Sequence, residues 1–189
     1  MKILLFAASL RKTSYNRKFI KQAADVLKNI SGIELDHADF LDFEMPIFNE
    51  DVEETQGIPK GAQNFINRIV TSDALIISTP EYNGSIPGTL KNAIDWASRN
   101  ETNPFEDKPL LLLGASPGVL GAIRGLWHTR VPFEALDTFV YPEMFGLPRA
   151  HQAFDESGNF IDPKMRARLE TLLNSYLEFV KKLKQNILN

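Results

Sequence analysis

Short runs of consecutive apolar residues alternate along the chain with longer stretches in which apolar residues recur every three or four positions. A continuous apolar run is typical of a strand covered on both faces, and the longer spacing is typical of a helix with one buried face. The runs predict five strands, at residues 3–8, 33–40, 74–78, 110–113 and 138–141. The spacing predicts helices at residues 16–30, 59–70, 87–97, 121–136 and 163–183.

Strands that alternate with helices form a parallel sheet joined by right-handed crossovers. The sequence therefore predicts one α/β domain over residues 1–189, with a doubly wound five-stranded sheet between two layers of helices. The chain contains no internal repeat, and no linker rich in glycine or proline divides it. Residues 41–58 are predicted to be a long irregular connection, which in a compact domain is often functional or covers a partner surface.

The composition excludes several classes of function. Cysteine is absent from the 189 residues, which removes disulfides, cysteine nucleophiles, thiolate metal sites and iron–sulfur clusters. The formal net charge of −3 gives no reason to expect nucleic acid or an anionic membrane as a partner. The histidines His37, His128 and His151 are isolated in the sequence, so no metal site is predicted. No run approaches the roughly 20 apolar residues of a membrane span, and a cytoplasmic protein is expected.

The loop from Ser9 to Asn16 connects the first predicted strand to a helix. Backbone N–H groups at the start of a helix attract an anion, and the hydroxyls of the loop and Arg11 add donors around them. The loop has no glycine, so it is neither a Walker loop nor a dinucleotide fingerprint, both of which need glycines for close backbone approach. It can hold a terminal phosphomonoester at the helix mouth, or it can simply cap the helix through Thr13 or Ser14. The loop alone does not decide between these hypotheses.

A second loop, residues 79–88 (TPEYNGSIPG), follows the third predicted strand and precedes a helix. At the carboxyl edge of an open α/β sheet, such a loop is where small ligands bind. The loop is almost without charge, yet it carries an aromatic ring, an amide, a hydroxyl and two glycines. These groups suit a flat heterocycle better than a metal or a polyanion. A tight turn into a helix is the alternative interpretation, and it leaves Tyr82 and Asn83 at this edge unexplained.

A third loop, residues 116–121 (SPGVLG), again connects a strand to a helix. Glycines that only turn the chain would explain this loop on its own. In a doubly wound sheet with the strand order 2-1-3-4-5, however, strands one, three and four are neighbours, and their loops lie side by side. The joint arrangement predicts one site, with a phosphate at one end and a planar ring at the other.

The residues of these loops resemble one known family. The motifs are SLRKxSxN after the first strand, PEYNxSIPGxLKNAIDW after the third, and SxGxxG after the fourth. They are similar to those of the NAD(P)H-dependent FMN reductases, a family that includes quinone, azo-dye and chromate reductases on a flavodoxin-like fold. The similarity spans nearly the whole chain, and the middle motif, from Pro80 to Trp96, is the most specific.

The resemblance implies a set of FMN-binding residues in each loop. Around the phosphate it implies Ser9, Arg11, Ser14, Tyr15 and Asn16. Along the ribityl chain and the isoalloxazine it implies Pro80, Glu81, Tyr82, Asn83 and Gly84. On the other side of the ring it implies Ser116, Pro117, Gly118 and Gly121. The chain departs from the family pattern at Ala122, where a second glycine is usual, and residues 125–139 match more loosely.

The resemblance further implies an FMN-dependent oxidoreductase that takes hydride from NADPH or NADH. It would pass electrons by ping-pong turnover to a soluble small-molecule acceptor, such as a quinone, an azo compound, chromate or free flavin. The reactive chemistry resides in the cofactor, so no catalytic side chain is predicted. A homodimer or homotetramer is implied, with residues 41–58 and 87–98 near the interface.

Two alternatives to this function stay open. One is a flavodoxin-type electron carrier, and the other is a non-catalytic regulator that binds a flavin or a nucleotide. The small net charge of −3 argues against the carrier, since such carriers are strongly acidic for docking to redox partners.

Overall fold

Six parallel strands form a sheet in the computed structural model, which describes residues 1–187. The strands are β1 (Lys2–Ala7), β2 (Glu34–His37), β3 (Ala74–Thr79), β4 (Pro109–Ala115), β5 (Phe139–Val140) and β6 (Phe145–Leu147). The α-helices are α1 (Tyr15–Leu27), α2 (Glu50–Gln56), α3 (Lys60–Val70), α4 (Gly88–Ala97), α5 (Ile123–Glu134) and α6 (Pro163–Ile187). Short 3-10 helices cover Phe40–Phe43 and Ala150–Gln152.

The predicted strand order is confirmed. The strands are hydrogen-bonded in the order β2-β1-β3-β4-β5, as in a flavodoxin-like sheet. The register pairs Ala7 with Ser78 and Thr79 with Gly114, so the carboxyl ends of β1, β3 and β4 meet at one edge of the sheet.

The predicted fifth strand is confirmed as the short β5, and beside β4 it is followed by a sixth strand, β6, that the sequence did not predict. The first half of β4 pairs with the two-residue β5, and its second half pairs with β6, from Leu113↔Phe145 to Ala115↔Leu147. Pro142 lies between the two pieces and has no N–H for the ladder. The guanidinium of Arg130 donates instead to the carbonyl of Tyr141, at 3.0 Å.

The second strand and the connection after it also differ from the prediction. β2 has only four residues, and the chain turns into a 3-10 helix at Phe40 instead of continuing as a strand. Residues 41–58 are not wholly irregular, because they contain α2. Asn49 caps that helix by accepting a hydrogen bond from the N–H of Asp51 at 2.9 Å. Three acidic residues lie in its first turn, where they complement the helix dipole.

Both faces of the sheet are buried, which explains the continuous apolar runs of β1, β3 and β4. Alternate residues of β1 enter different cores: Ile3 and Leu5 face α1 and α6, whereas Leu4 and Phe6 face α3, α4 and α5. Each of these four side chains is fully buried. The predicted three-layer arrangement is confirmed.

The segment before α2 is attached firmly to its neighbours. The carbonyl of Pro46 accepts hydrogen bonds from the side chains of Asn92 and Trp96, at 2.9 and 2.8 Å. On the other side, a Cβ on Gly61 would lie 1.9 Å from the carbonyl oxygen of Glu44. The backbone of this segment therefore packs directly against α3 and is hydrogen-bonded to α4.

Candidate functional site

The three predicted loops meet in a cleft at the carboxyl edge of the sheet. Its volume is about 130 Å³, smaller than a groove of about 310 Å³ between α1 and β2. The cleft is lined by Ser9, Arg11, Ser14, Tyr15, Asn16, Pro80, Glu81, Tyr82, Ala115, Ser116 and Pro117. Most of the residues predicted from the sequence are therefore brought together. Asn83, Gly84, Gly118 and Gly121 lie in the same loops but outside the lining of the cleft.

The N-terminus of α1 offers hydrogen-bond donors to this cleft. Ser14 is the N-cap, and its Oγ accepts from the N–H of Asn16 at 3.2 Å. Within residues 1–187, the backbone N–H groups of Arg11 and Tyr15, which both line the cleft, have no protein acceptor. The first turn of α1 carries no acidic side chain. Free N–H groups at a positive helix end are suited to an anion.

Arg11 adds a positive charge at the same place. Its side chain is exposed and donates from Nε to the hydroxyl of Thr13 at 3.0 Å. In the described part of the chain it has no carboxylate partner. The guanidinium therefore keeps donors available for a ligand.

The side chain of Asn16 makes its hydrogen bonds within the protein. Its side chain is almost fully buried, and its Oδ1 accepts from the hydroxyl of Ser78 at 2.9 Å and from the N–H of Ala115 at 2.8 Å. Its Nδ2 donates to the carbonyl of Ala115 at 3.1 Å. The amide thus joins the start of α1 to the ends of β3 and β4. The resemblance implies that Asn16 lies by the phosphate. In the structure, the hydrogen bonds of its side chain join the strand ends from which the second and third loops begin to the helix that follows the first loop.

Residues 82–85 form a tight β-hairpin. Tyr82 and Ser85 exchange two backbone hydrogen bonds, of 3.1 and 3.0 Å. Asn83 and Gly84 at the turn have φ of 51° and 77°, the left-handed conformation that a two-residue type I′ turn requires. The turn accounts for the presence of Asn83 and Gly84 at these positions. It also places Tyr82 at the cleft, where 53% of the surface of this residue is exposed.

The side chain of Glu81 lines the cleft but is bound by α5. Its carboxylate accepts from Nε of Arg124 at 2.9 Å and from the N–H of Gly125 at 3.1 Å. Burial raises the pKa of this carboxyl, but the hydrogen bonds from Arg124 and Gly125 outweigh it, and the net pKa lies below the ordinary value. Glu81 is therefore a carboxylate at neutral pH and is not a proton donor.

The third loop, residues 116–121, is hydrogen-bonded to β6, the strand that the sequence did not predict. The N–H of Ser116 donates to the carbonyl of Leu147 at 3.2 Å. Gly121 has a φ of 59°, and a Cβ on it would lie 2.7 Å from the backbone nitrogen of Pro148. Ala122, the departure from the family pattern, also adopts a left-handed conformation, with a φ of 68°, and is buried. The glycine at 121 thus has a packing reason that is independent of any ligand.

Some residues of the site had no signal in the sequence. Ala115 lines the cleft, and its only sequence cue is its position at the end of the apolar run of β4. Gly125 lies within a helix, and its contact with Glu81 depends on a residue 44 positions away.

Among residues 1–187, no group of three or more acidic or histidine side chains could hold a metal ion. In the same range, no helix is long and apolar enough to span a membrane.

Similarity to known proteins extends over nearly the whole chain. The sequence profile described as NADPH-dependent FMN reductase matches residues 1–152. The chain is 38% identical over 186 residues to an NAD(P)H-dependent FMN reductase of Pseudomonas aeruginosa, with 97% of each chain covered. It is 31% identical over 186 residues to a quinone reductase of Escherichia coli, with the same coverage.

A solved structure is similar in both sequence and fold. It is the flavoenzyme NAD(P)H:(acceptor) oxidoreductase from Paracoccus denitrificans, which matches with a TM-score of 0.82 and 30% identity over 96% of this chain and 97% of that chain. The family profile covers well over half of the chain, and the relatives align almost end to end. The chain therefore belongs to the NADPH-dependent FMN reductase family.

Proposed function

We propose that the protein binds FMN in the cleft between the three loops and uses NADPH or NADH to reduce a soluble acceptor. The observation that carries this proposal is the convergence of a helix N-terminus, an unpaired arginine and an exposed tyrosine ring on one cleft. These groups suit a ligand with a phosphate and a flat ring. A quinone is the favoured acceptor, because the Escherichia coli relative is named as a quinone reductase.

The phosphate of the cofactor is assigned to the N-terminal end of α1. The backbone N–H groups of Arg11 and Tyr15 are available there, and the guanidinium of Arg11 supplies a charge-assisted donor. The hydroxyls of Ser9 and Ser14 complete the polar wall. No glycine-rich wrap is needed for a terminal phosphate that sits at the helix mouth.

Bound FMN supplies the chemistry of hydride acceptance and electron donation. The chain's residues bind and orient it. The carboxylate of Glu81 is held by Arg124 and Gly125, so it does not act as a general acid. Tyr82 exposes its ring beside the cleft, where it can form an apolar wall for a planar group.

An assembly of two or four chains is proposed from exposed apolar side chains. On α5, Trp127 and Val131 lie one turn apart, and 55% and 65% of their surfaces are exposed. Ile47, in the segment attached to α4, is also exposed. Exposed apolar side chains at helical spacing are typical of a surface that another chain covers. Light scattering on the purified protein distinguishes a monomer from these assemblies.

Freshly purified protein is expected to bind FMN, to show a flavin absorption spectrum, and to lose its colour when NADPH or NADH is added without oxygen. Addition of a quinone should then restore the colour. A flavodoxin-type carrier would bind FMN but would need a partner enzyme for reduction. A regulator would bind the ligand without consuming NADPH or NADH. A protein that does not bind added FMN would refute the proposed function.

Replacing Arg11 with alanine is expected to weaken FMN binding by about tenfold, because a charge-assisted hydrogen bond to the phosphate is lost. The melting temperature without FMN should hardly change, since within residues 1–187 the side chain of Arg11 makes a hydrogen bond only to the hydroxyl of Thr13. Titration with FMN and thermal melting measure the two effects. Lys12→Ala is the matched control, because Lys12 is the neighbouring exposed cation and lies outside the cleft lining. Equal losses of stability and affinity in Arg11→Ala would indicate that the loop only caps the helix.

A further inference from the structure

We propose that Glu81 is a positioning residue, which caps the N-terminus of α5 from a different loop and thereby fixes two walls of the cleft relative to each other. The role rests on the proposed FMN site. One wall is the segment from Pro80 through the 82–85 hairpin, and the other is the loop from Ser116 that leads into α5.

The first observation is that α5 has no cap of its own. Ala122 occupies the N-cap position in a left-handed conformation, and no side chain of the adjoining loop accepts a hydrogen bond from the first turn. Glu81 supplies the missing acceptor, since its carboxylate binds the N–H of Gly125. A negative charge at the N-terminus of a helix also complements the helix dipole.

The second observation is the close contact between the two elements. A Cβ on Gly125 would lie 2.9 Å from Cβ and 3.0 Å from Cα of Glu81. A side chain at position 125 would therefore push the backbone of Glu81 away from α5. Glycine is a poor residue for the first turns of a helix unless such an approach requires it. The glycine at position 125 allows the close approach of Glu81 to α5, and the carboxylate of Glu81 forms the hydrogen bond across the same contact.

The third observation is that the hairpin contacts α5 at a second point. Nδ1 of His128 lies 3.0 Å from Oγ of Ser85. The guanidinium of Arg124 binds the carboxylate of Glu81 and lies beside Gly84. The hairpin is therefore attached to one face of α5 along its first two turns. The carboxylate of Glu81 is the charged part of this attachment, and only 8% of its side chain is exposed.

The consequence concerns the cofactor. Pro80 and Tyr82 on one side and Ser116 and Pro117 on the other can present a fixed gap only if the hairpin and α5 do not move independently. Loss of the Glu81 contact would leave both walls folded but free to separate. The effect is expected in the binding and the spectrum of FMN.

The test compares Glu81→Gln with Asp73→Asn. Asp73 lies at the opposite end of the sheet, and its carboxylate also binds one backbone N–H, that of Lys2, and one cation, Lys184. Both changes remove one partly buried charge with the same types of partner. In Glu81→Gln we expect the Kd for FMN to rise about tenfold and the visible spectrum of bound FMN to shift. In Asp73→Asn we expect both to match the unchanged protein, although its melting temperature falls.

If Glu81→Gln keeps the Kd within twofold and the spectrum unchanged, the positioning role is overturned. If the unchanged protein itself does not bind FMN, the proposed function fails instead, and the two results are distinguishable. Should Glu81→Gln not fold, Gly125→Ala tests the same contact from the side of α5. That variant should also weaken FMN binding, and a stable Gly125→Ala protein with unchanged FMN affinity would overturn the role.

Discussion

Replacing Asn16 with alanine is expected to lower the free energy of unfolding by about 3 to 5 kcal/mol, because three buried hydrogen-bonding groups lose their partner at once. These groups are the N–H and the carbonyl of Ala115 and the hydroxyl of Ser78. A buried polar group without a partner costs roughly 1 to 3 kcal/mol, and the methyl group of alanine can neither donate nor accept a hydrogen bond. Urea unfolding of the protein without FMN measures the effect. FMN binding should weaken as well, since the three loops are joined at this amide.

Two control variants separate the contributions of the individual hydrogen bonds. Ser78→Ala removes one donor together with its bond to Asn16, so its cost should be about 1 kcal/mol. Asn16→Asp keeps an acceptor for Ser78 and for the N–H of Ala115 but places a second acceptor against the carbonyl of Ala115. It should therefore be nearly as destabilising as alanine. A loss under 1 kcal/mol in Asn16→Ala, with FMN affinity strongly reduced, would return Asn16 to the role of a direct phosphate ligand.

Replacing Gly121 with alanine is expected to lower the free energy of unfolding by about 3 kcal/mol, from two separate causes. A side chain in the left-handed conformation costs roughly 1 to 2 kcal/mol, and the φ here is 59°. The new Cβ would also meet the backbone of Pro148 and Leu147 at 2.7 and 2.8 Å, and overpacking of this kind costs roughly 1 to 3 kcal/mol. Thermal or urea unfolding without FMN gives the sum.

Gly32→Ala isolates the first of these causes. Gly32 also has a positive φ, of 79°, but a Cβ on it would meet nothing within 4 Å. Its cost should be about 1 kcal/mol, from the backbone alone. If Gly121→Ala is no more destabilising than Gly32→Ala and instead loses FMN, the glycine serves the cofactor directly and not the packing on β6.

The prediction from the sequence was most successful where a pattern is repeated locally. The apolar runs of β1, β3 and β4 identified the centre of the sheet, because both of its faces are buried and every residue in these runs is apolar or small. The alternation with helices predicted a parallel sheet, and the order 2-1-3-4-5 is the one expected of a flavodoxin-like doubly wound sheet. In that order, the loops that follow strands one, three and four lie at one edge of the sheet.

Features that depend on distant partners could not be predicted in the same way. Asn16 belongs to the first loop by its position in the motif, but its hydrogen bonds go to Ala115, 99 residues away. The role of Glu81 depends similarly on Gly125. β6 was missed because Pro142 interrupts the apolar pattern, and three residues of strand are too few to produce a signal.

The interruption between β5 and β6, the two short strands beside β4, has a consequence for solubility. An uninterrupted edge strand exposes a row of backbone donors and acceptors on which another sheet can add, and this is a common route to aggregation. Here one edge of the sheet consists of a two-residue and a three-residue piece on either side of Pro142. The other edge, β2, has four residues, and two of them, Glu34 and Asp36, are acidic. Neither edge offers a long, uncharged ladder, so a folded chain is a poor template for the strands of a second, unfolded one.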